Sequence, residues 1–213
     1  MLSTYIFDSK SKRYRYRDPS KGFVKNLVIN NFKKRIAAKS DKEISLLKEK
    51  YSNGSINLLQ FLSKFEDILS YTQISVTALF SGGLNNNPIL GDAIDHINLQ
   101  RDYLVDLFRK KEAGLITDKQ FEASLSRYRE DSITQGEAIA DHALEIRSGK
   151  QYAYRLLGDA EHCPSCERYY LRGVQRTVDL APPKTGCECT SRCGCTILYF
   201  DNFQAAMASK LSR

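Results

Sequence analysis

The first 162 residues contain no cysteine, so no disulfide framework can span the chain. No apolar run reaches the roughly 18 residues that a membrane-crossing helix needs, and a membrane is therefore not among the expected partners. A basic start followed by an apolar stretch and a cleavage site is missing from MLSTYIFDSKSKRYRYR. The expectation is a cytoplasmic chain whose thiols stay reduced. The phosphate-cradling pattern GxxxxGK followed by Ser or Thr is absent as well. Histidine is scarce, with His96 and His142 each following an aspartate, Asp95 and Asp141. Sequential neighbours leave a helix on different faces, and no nucleophile accompanies either pair. Both histidines are expected to be solvated or half-buried, and no enzyme is expected.

What the chain has instead is a local concentration of sulfur. All six cysteines lie between Cys163 and Cys195, written CPSC, then twenty residues, then CECTSRCGC. A CxxC pair followed by a second close cluster is the spacing of tetrahedral thiolate zinc sites, because each turn presents two sulfurs to one ion. A redox CxxC would open a helix inside a strand-helix-strand unit, whereas Tyr169, Tyr170 and Val174 predict a strand. Six thiols exceed the four that one zinc takes. Cys163 and Cys166 with the Cx3C pair Cys189 and Cys193 are the preferred set. Cys187 and Cys195 are alternates, since alternation along extended backbone turns the two thiols of a CxC pair to opposite faces. His162, adjacent to the first thiol, is a further alternate, read first as a surface group or one behind the ligands. A closed thiolate site is structural rather than catalytic. A tail of about 45 residues is too short to bury an adequate core, and a metal contributes on the order of 10 kcal/mol to such a fold. Strands are predicted at residues 151–157, 169–174 and 196–200.

Charge is concentrated at the other end. Residues 1–40 hold eleven Lys or Arg against Asp8 and Asp18, a balance of +9 that leaves −2 for the remainder. In the run Arg13, Tyr14, Arg15, Tyr16, Arg17, strand geometry puts the two tyrosines on one face and the three arginines on the other. This two-faced ribbon ends in the turn sequence DPSKG and is the candidate partner-binding element, docking on the body or a partner, or meeting DNA phosphates.

Between these ends the apolar spacing is helical. Val24, Leu27, Val28, Phe32 and Ile36 recur at intervals of three and four. A second helix is predicted from Asp41 to Tyr51, stopped by Asn53-Gly54, and a third after Ser55 that ends at Gly82-Gly83. Gly82 to Asn87 with Pro88 predicts a turn-rich linker. Helix resumes through Ile94, Leu104 and Phe108, and Thr117 with Gln120 forms a capping box that opens a long helix closed by Gly149. The expected fold is mainly α: a basic N-terminal arm over residues 1–23, a helical body over 24–149, and a zinc-stapled β element with its tail over 150–213.

The order of these signals resembles a known family. The YRYRDPSKGFV start, FSGG, the YLVDLFRKKEAGLIT helix-to-turn and the HCPSC…PPKTGCECTSRCGCTILY tail are similar to phage head morphogenesis proteins, the minor head proteins similar to the F protein of phage Mu. The resemblance carries over to Cys163, Cys166, Cys189, Cys193 and Cys195. Cys187 is extra, and the histidine some relatives place before the last cysteines is replaced here by Lys184, Thr185 and Gly186, so the ligand set stays open. The resemblance implies a structural virion protein in several copies near the portal vertex and the head-to-tail junction, assembled in the host cytoplasm. Its partners would be portal, major capsid protein or packaged DNA. The rival reading is a zinc-ribbon nucleic-acid-binding protein, against which stands the lack of an evident recognition helix between the thiol pairs.

Overall fold

The computed structural model describes residues 4–83, 90–158, 162–182, 184–185, 187 and 193–212, with 90–100 described by backbone alone. The mainly α expectation holds, and four long helices account for the periodic middle: α1 (Asn26–Ser52), α2 (Leu58–Ser81), α3 (Leu90–Glu112) and α4 (Asp118–Arg147). The boundary predicted at Asp41 does not exist. Ser40, which would cap a new helix, instead donates its hydroxyl to the Ile36 carbonyl at 3.1 Å. That hydroxyl also meets Thr72 Oγ1 of α2 at 2.5 Å, so the helix runs on with Ser40 fully buried. The capping box at Thr117 and Gln120 forms as predicted, and a second one, Asn57 with Gln60, starts α2. Of the predicted linker, Gly82 and Gly83 follow α2, while residues 84–89 lie outside the described residues.

Helix α2 is the centre of the body, packed against α4, α1 and α3. Its first half is apolar. Phe61 meets Phe108 of α3 at a ring separation of 4.9 Å, and Phe108 meets Phe121 of α4 at 4.8 Å, the edge-to-face geometry that aromatic quadrupoles favour. Along its second half, Gln73 and Thr77 of α2 are buried against Ser132, Gln135 and Gly136 of α4, and Thr77 Oγ1 donates to the Gly136 carbonyl at 3.1 Å. The two helices approach here so closely that a Cβ at Gly136 would lie 2.7 Å from the Gln73 carbonyl oxygen and 2.9 Å from Val76 Cβ.

The basic segment folds into a hairpin, β1 (Tyr5–Asp8) and β2 (Arg13–Tyr16), paired antiparallel with Tyr5 opposite Tyr16 and Asp8 opposite Arg13. The ribbon is two-faced as predicted. Tyr14 is buried beside Phe7, ring centroids 5.0 Å apart, while Arg13, Arg15 and Arg17 are exposed. Phe7 rests against the end of α2 at Gly82. Lys12 Nζ lies 2.5 Å from Glu145 of α4 and Lys33 Nζ 2.7 Å from Glu137, so α4 neutralises part of the basic charge.

After α4 comes a three-stranded antiparallel sheet with β3 (Tyr152–Leu156) in the middle, flanked by β4 (Gln175–Arg176) and β5 (Thr196–Phe200). The register puts Tyr152 opposite Phe200 and Arg155 opposite Ile197. The strand expected at 169–174 is replaced by a helix, α5 (Pro164–Arg172). Pro164 in the first turn and Glu167 at the positive end of the dipole start it, Gly173 ends it, and these local signals outweigh the β preference of two tyrosines. A further helix, α6 (Phe203–Leu211), is capped by the Asn202 side chain and covers β3 and β5.

The sheet is joined to α4 by His142, whose Nδ1 lies 2.7 Å from the Tyr199 hydroxyl. His142, expected to be solvated or half-buried, is buried, 1% exposed, and burial pushes its pKa down to about 4. The unfolded chain takes up that proton near pH 6.5. The contribution to stability is therefore complete above about pH 6.5 and declines as the pH falls towards 4.

Two predictions follow from this packing. Gly136→Ala should lower the stability of the body by about 2 kcal/mol in denaturant titration, despite alanine's better helix propensity, because the helices must move apart; an unchanged midpoint would rule out the close approach. Between pH 7 and pH 4 the native chain should lose roughly 3 kcal/mol more stability than His142→Gln, and equal losses in both would show that the imidazole does not stay neutral on folding.

Candidate metal centre

The thiols are brought together by three chain segments that meet at one end of the sheet. Beyond β3, Gly158 lies so close to Gly194 that a Cβ at 158 would stand 2.5 Å from the Gly194 carbonyl oxygen. This contact sets the loop carrying His162 beside the run from Cys193 to Cys195. Cys163 caps α5 and Cys166 occupies its first turn. A turn closed by Thr185, whose hydroxyl donates to the Pro182 carbonyl at 2.8 Å, delivers Cys187.

The result is a buried cluster of sulfur. Cys166, Cys187, Cys193 and Cys195 are 0%, 1%, 5% and 5% exposed, with Cys163 and Leu157 packed against them. Cys166 Sγ and Cys193 Sγ lie 3.6 Å apart, far beyond the ~2.05 Å of a disulfide. The separation matches the edge of a tetrahedron with metal–sulfur bonds of about 2.3 Å, roughly 3.8 Å. The ligand atoms of Cys166, Cys187 and Cys193 all lie within 4.8 Å of one another, as do those of His162, Cys166 and Cys195. These residues can hold a metal ion.

His162 is oriented as ligating imidazoles are. Its Nε2 lies 2.7 Å from the Gly158 carbonyl, and a carbonyl only accepts, so the proton sits on Nε2. Nδ1 is left with its lone pair, 3.6 Å from Cys195 Sγ. A backbone carbonyl fixing the tautomer is the usual support of a metal-bound histidine.

Electrostatics point to ionised sulfur. Hydrogen bonding from the Cys187 side chain, against the opposing effect of burial, holds Cys193 down to about 4, helped by the backbone N–H groups of Cys195 and Lys184. Burial pushes Cys195 up. On the central strand, Arg155 is fully buried. Its Nη1 donates to Cys166 Sγ at 3.7 Å and its Nη2 to the Ala181 carbonyl at 2.5 Å, and its guanidinium stacks on Tyr169 of α5, 4.4 Å from the ring centre. Burial works against its charge, but the sulfurs of Cys187, Cys193 and Cys166 outweigh this and raise its pKa. Among the described residues no carboxylate forms an ion pair with it.

Of the preferred four ligands, Cys166 and Cys193 face each other, Cys163 stands at the edge of the cluster, and Cys189 lies outside the described residues. The alternates Cys187, Cys195 and His162 are all drawn in. Extended alternation does not separate Cys193 from Cys195, because β5 begins only at Thr196. A helix does stand between the thiol pairs, contrary to the sequence reading, but Arg168 of α5 bonds Ser165 Oγ and Arg172 lies over Tyr169. Of the candidate partner-binding residues, Arg13, Arg15 and Arg17 are exposed, Tyr16 is half-buried and Tyr14 is buried. Compared with protein-family models, with curated proteins and with solved structures, the chain matches none.

In a chain loaded with Zn²⁺, replacing Arg155 by Met should make the cluster release the ion about 10- to 100-fold more readily in chelator competition. Unchanged competition would show that the guanidinium does not support the sulfurs.

Proposed function

We propose that the chain is a structural virion protein, a minor head protein acting in phage head assembly near the portal vertex, whose C-terminal unit is stapled by zinc. The burial of the thiol cluster carries this reading. Four of its sulfurs are at 5% exposure or less, which suits a structural site over a catalytic one. Buried thiolate and imidazole donors suit zinc over harder cations. Support for the phage head comes from the order of sequence signals, from YRYRDPSKGFV to the GCECTSRCGC tail. The exposed arginines of the hairpin are the surface offered to portal, major capsid protein or packaged DNA.

The test sediments the purified chain with portal rings and titrates it with duplex DNA, each with and without a zinc chelator. Binding to the ring, weakened when Arg13, Arg15 and Arg17 are replaced by Ser, is the expected outcome. Chelation should abolish the tail's protection from proteolysis while the helical circular dichroism persists. DNA affinity that falls steeply with salt and disappears on chelation, with no ring binding, would favour a zinc-ribbon nucleic-acid-binding protein.

A further inference from the structure

Among the described residues the donors do not form one group of four. They form two groups of three: Cys166 with Cys187 and Cys193, and Cys166 with His162 and Cys195. A single atom, Cys166 Sγ, belongs to both. We infer that the centre is built for two metal ions joined through the Cys166 sulfur. This rests on the reading of the cluster as a metal staple and adds the number of ions and the role of one residue.

Three observations lead there. One tetrahedral ion accepts four donors, and five are already gathered. An arrangement with one ion would leave at least one of them idle, although His162 has its tautomer fixed by Gly158 and its Nδ1 turned to within 3.6 Å of Cys195 Sγ. The second observation is a count. Two tetrahedra that share one corner have seven corners, and between residues 162 and 195 the chain carries six cysteines and one histidine. Five of these seven make up the two trios, Cys163 packs against them, and Cys189 lies in sequence between Cys187 and Cys193.

The third observation concerns the shared sulfur itself. A thiolate has three lone pairs, two of which suffice for two ions. The remaining one can accept from Arg155 Nη1, which lies 3.7 Å from Cys166 Sγ. A fully buried guanidinium placed against the bridging atom supplies positive charge beside the sulfurs, which fits the absence of a carboxylate partner for Arg155 among the described residues.

The experiment loads the full chain with Zn²⁺ and counts bound ions by native mass spectrometry and elemental analysis, then repeats the count with ¹¹³Cd²⁺ for NMR. The expected result is two ions per chain and two cadmium resonances coupled through one sulfur. His162→Ala, which leaves the trio of Cys166, Cys187 and Cys193 intact, should retain one ion tightly and bind the second at least tenfold more weakly. One ion per chain in the native sequence, or two whose affinities are untouched by His162→Ala, would overturn the shared-sulfur centre while leaving a metal staple in place. No bound ion at all would overturn both.

Discussion

A guanidinium buried to zero exposure must have its charge met, and at Arg155, among the described residues, the sulfur of Cys166, the Ala181 carbonyl and the Tyr169 ring meet it, with no carboxylate. An unpaired buried cation costs several kcal/mol, so ionised thiols beside Arg155 stabilise the C-terminal unit. A metal ion held among thiols packed this closely would keep them ionised, and metal, thiolate and Arg155 would then depend on one another. The same residue sits on the middle strand and stacks under α5. Sheet, helix and sulfur cluster therefore form one cooperative unit, a substitute for the hydrophobic core that so short a segment cannot build.

The body solves a different problem. Its first half is held by interlocked aromatic rings, and its second by close approach of α2 and α4 over small residues, with Gly136 at the narrowest point. The basic N-terminal segment would repel itself if it were merely solvated. Glu145 and Glu137 on α4 take up Lys12 and Lys33, and the paired tyrosines turn inward, leaving three arginines on the outer face of a fixed hairpin. The cationic surface is thereby presented on a defined scaffold.

Local signals in the sequence were legible where the chemistry is local. Thr117 and Gln120 are three residues apart and cap α4 whatever surrounds them; the alternation of RYRYR gives a ribbon with one buried face. Ser40 misleads because the same hydroxyl that caps a helix can bond the Ile36 carbonyl inside one, and Thr72, thirty-two residues away, decides between them. Tyr169 and Tyr170 suggest a strand, but Pro164 and Glu167 had already set a helix start, and Tyr169 is needed as a lid over Arg155. Helix α6, capped by Asn202, was not expected from the sequence. The presence of a sulfur site was legible in the clustering of cysteines, but the choice of donors was not. It depends on the path of the return loop, on the contact of Gly158 with Gly194, and on the carbonyl that turns His162 inward, none of which leaves a spacing pattern.

The last turns of α4 carry three attachments on three sides. Glu145 holds the hairpin through Lys12, Arg147 Nη2 donates to the Ser81 carbonyl at the end of α2 at 2.5 Å, and His142 meets Tyr199 of the sheet. At 1.5 Å per residue its thirty residues form a rod of about 45 Å. Mechanically, this makes α4 a strut with a three-way joint at one end. Sheet, arm and body are thereby tied to the same few turns of one continuous helix.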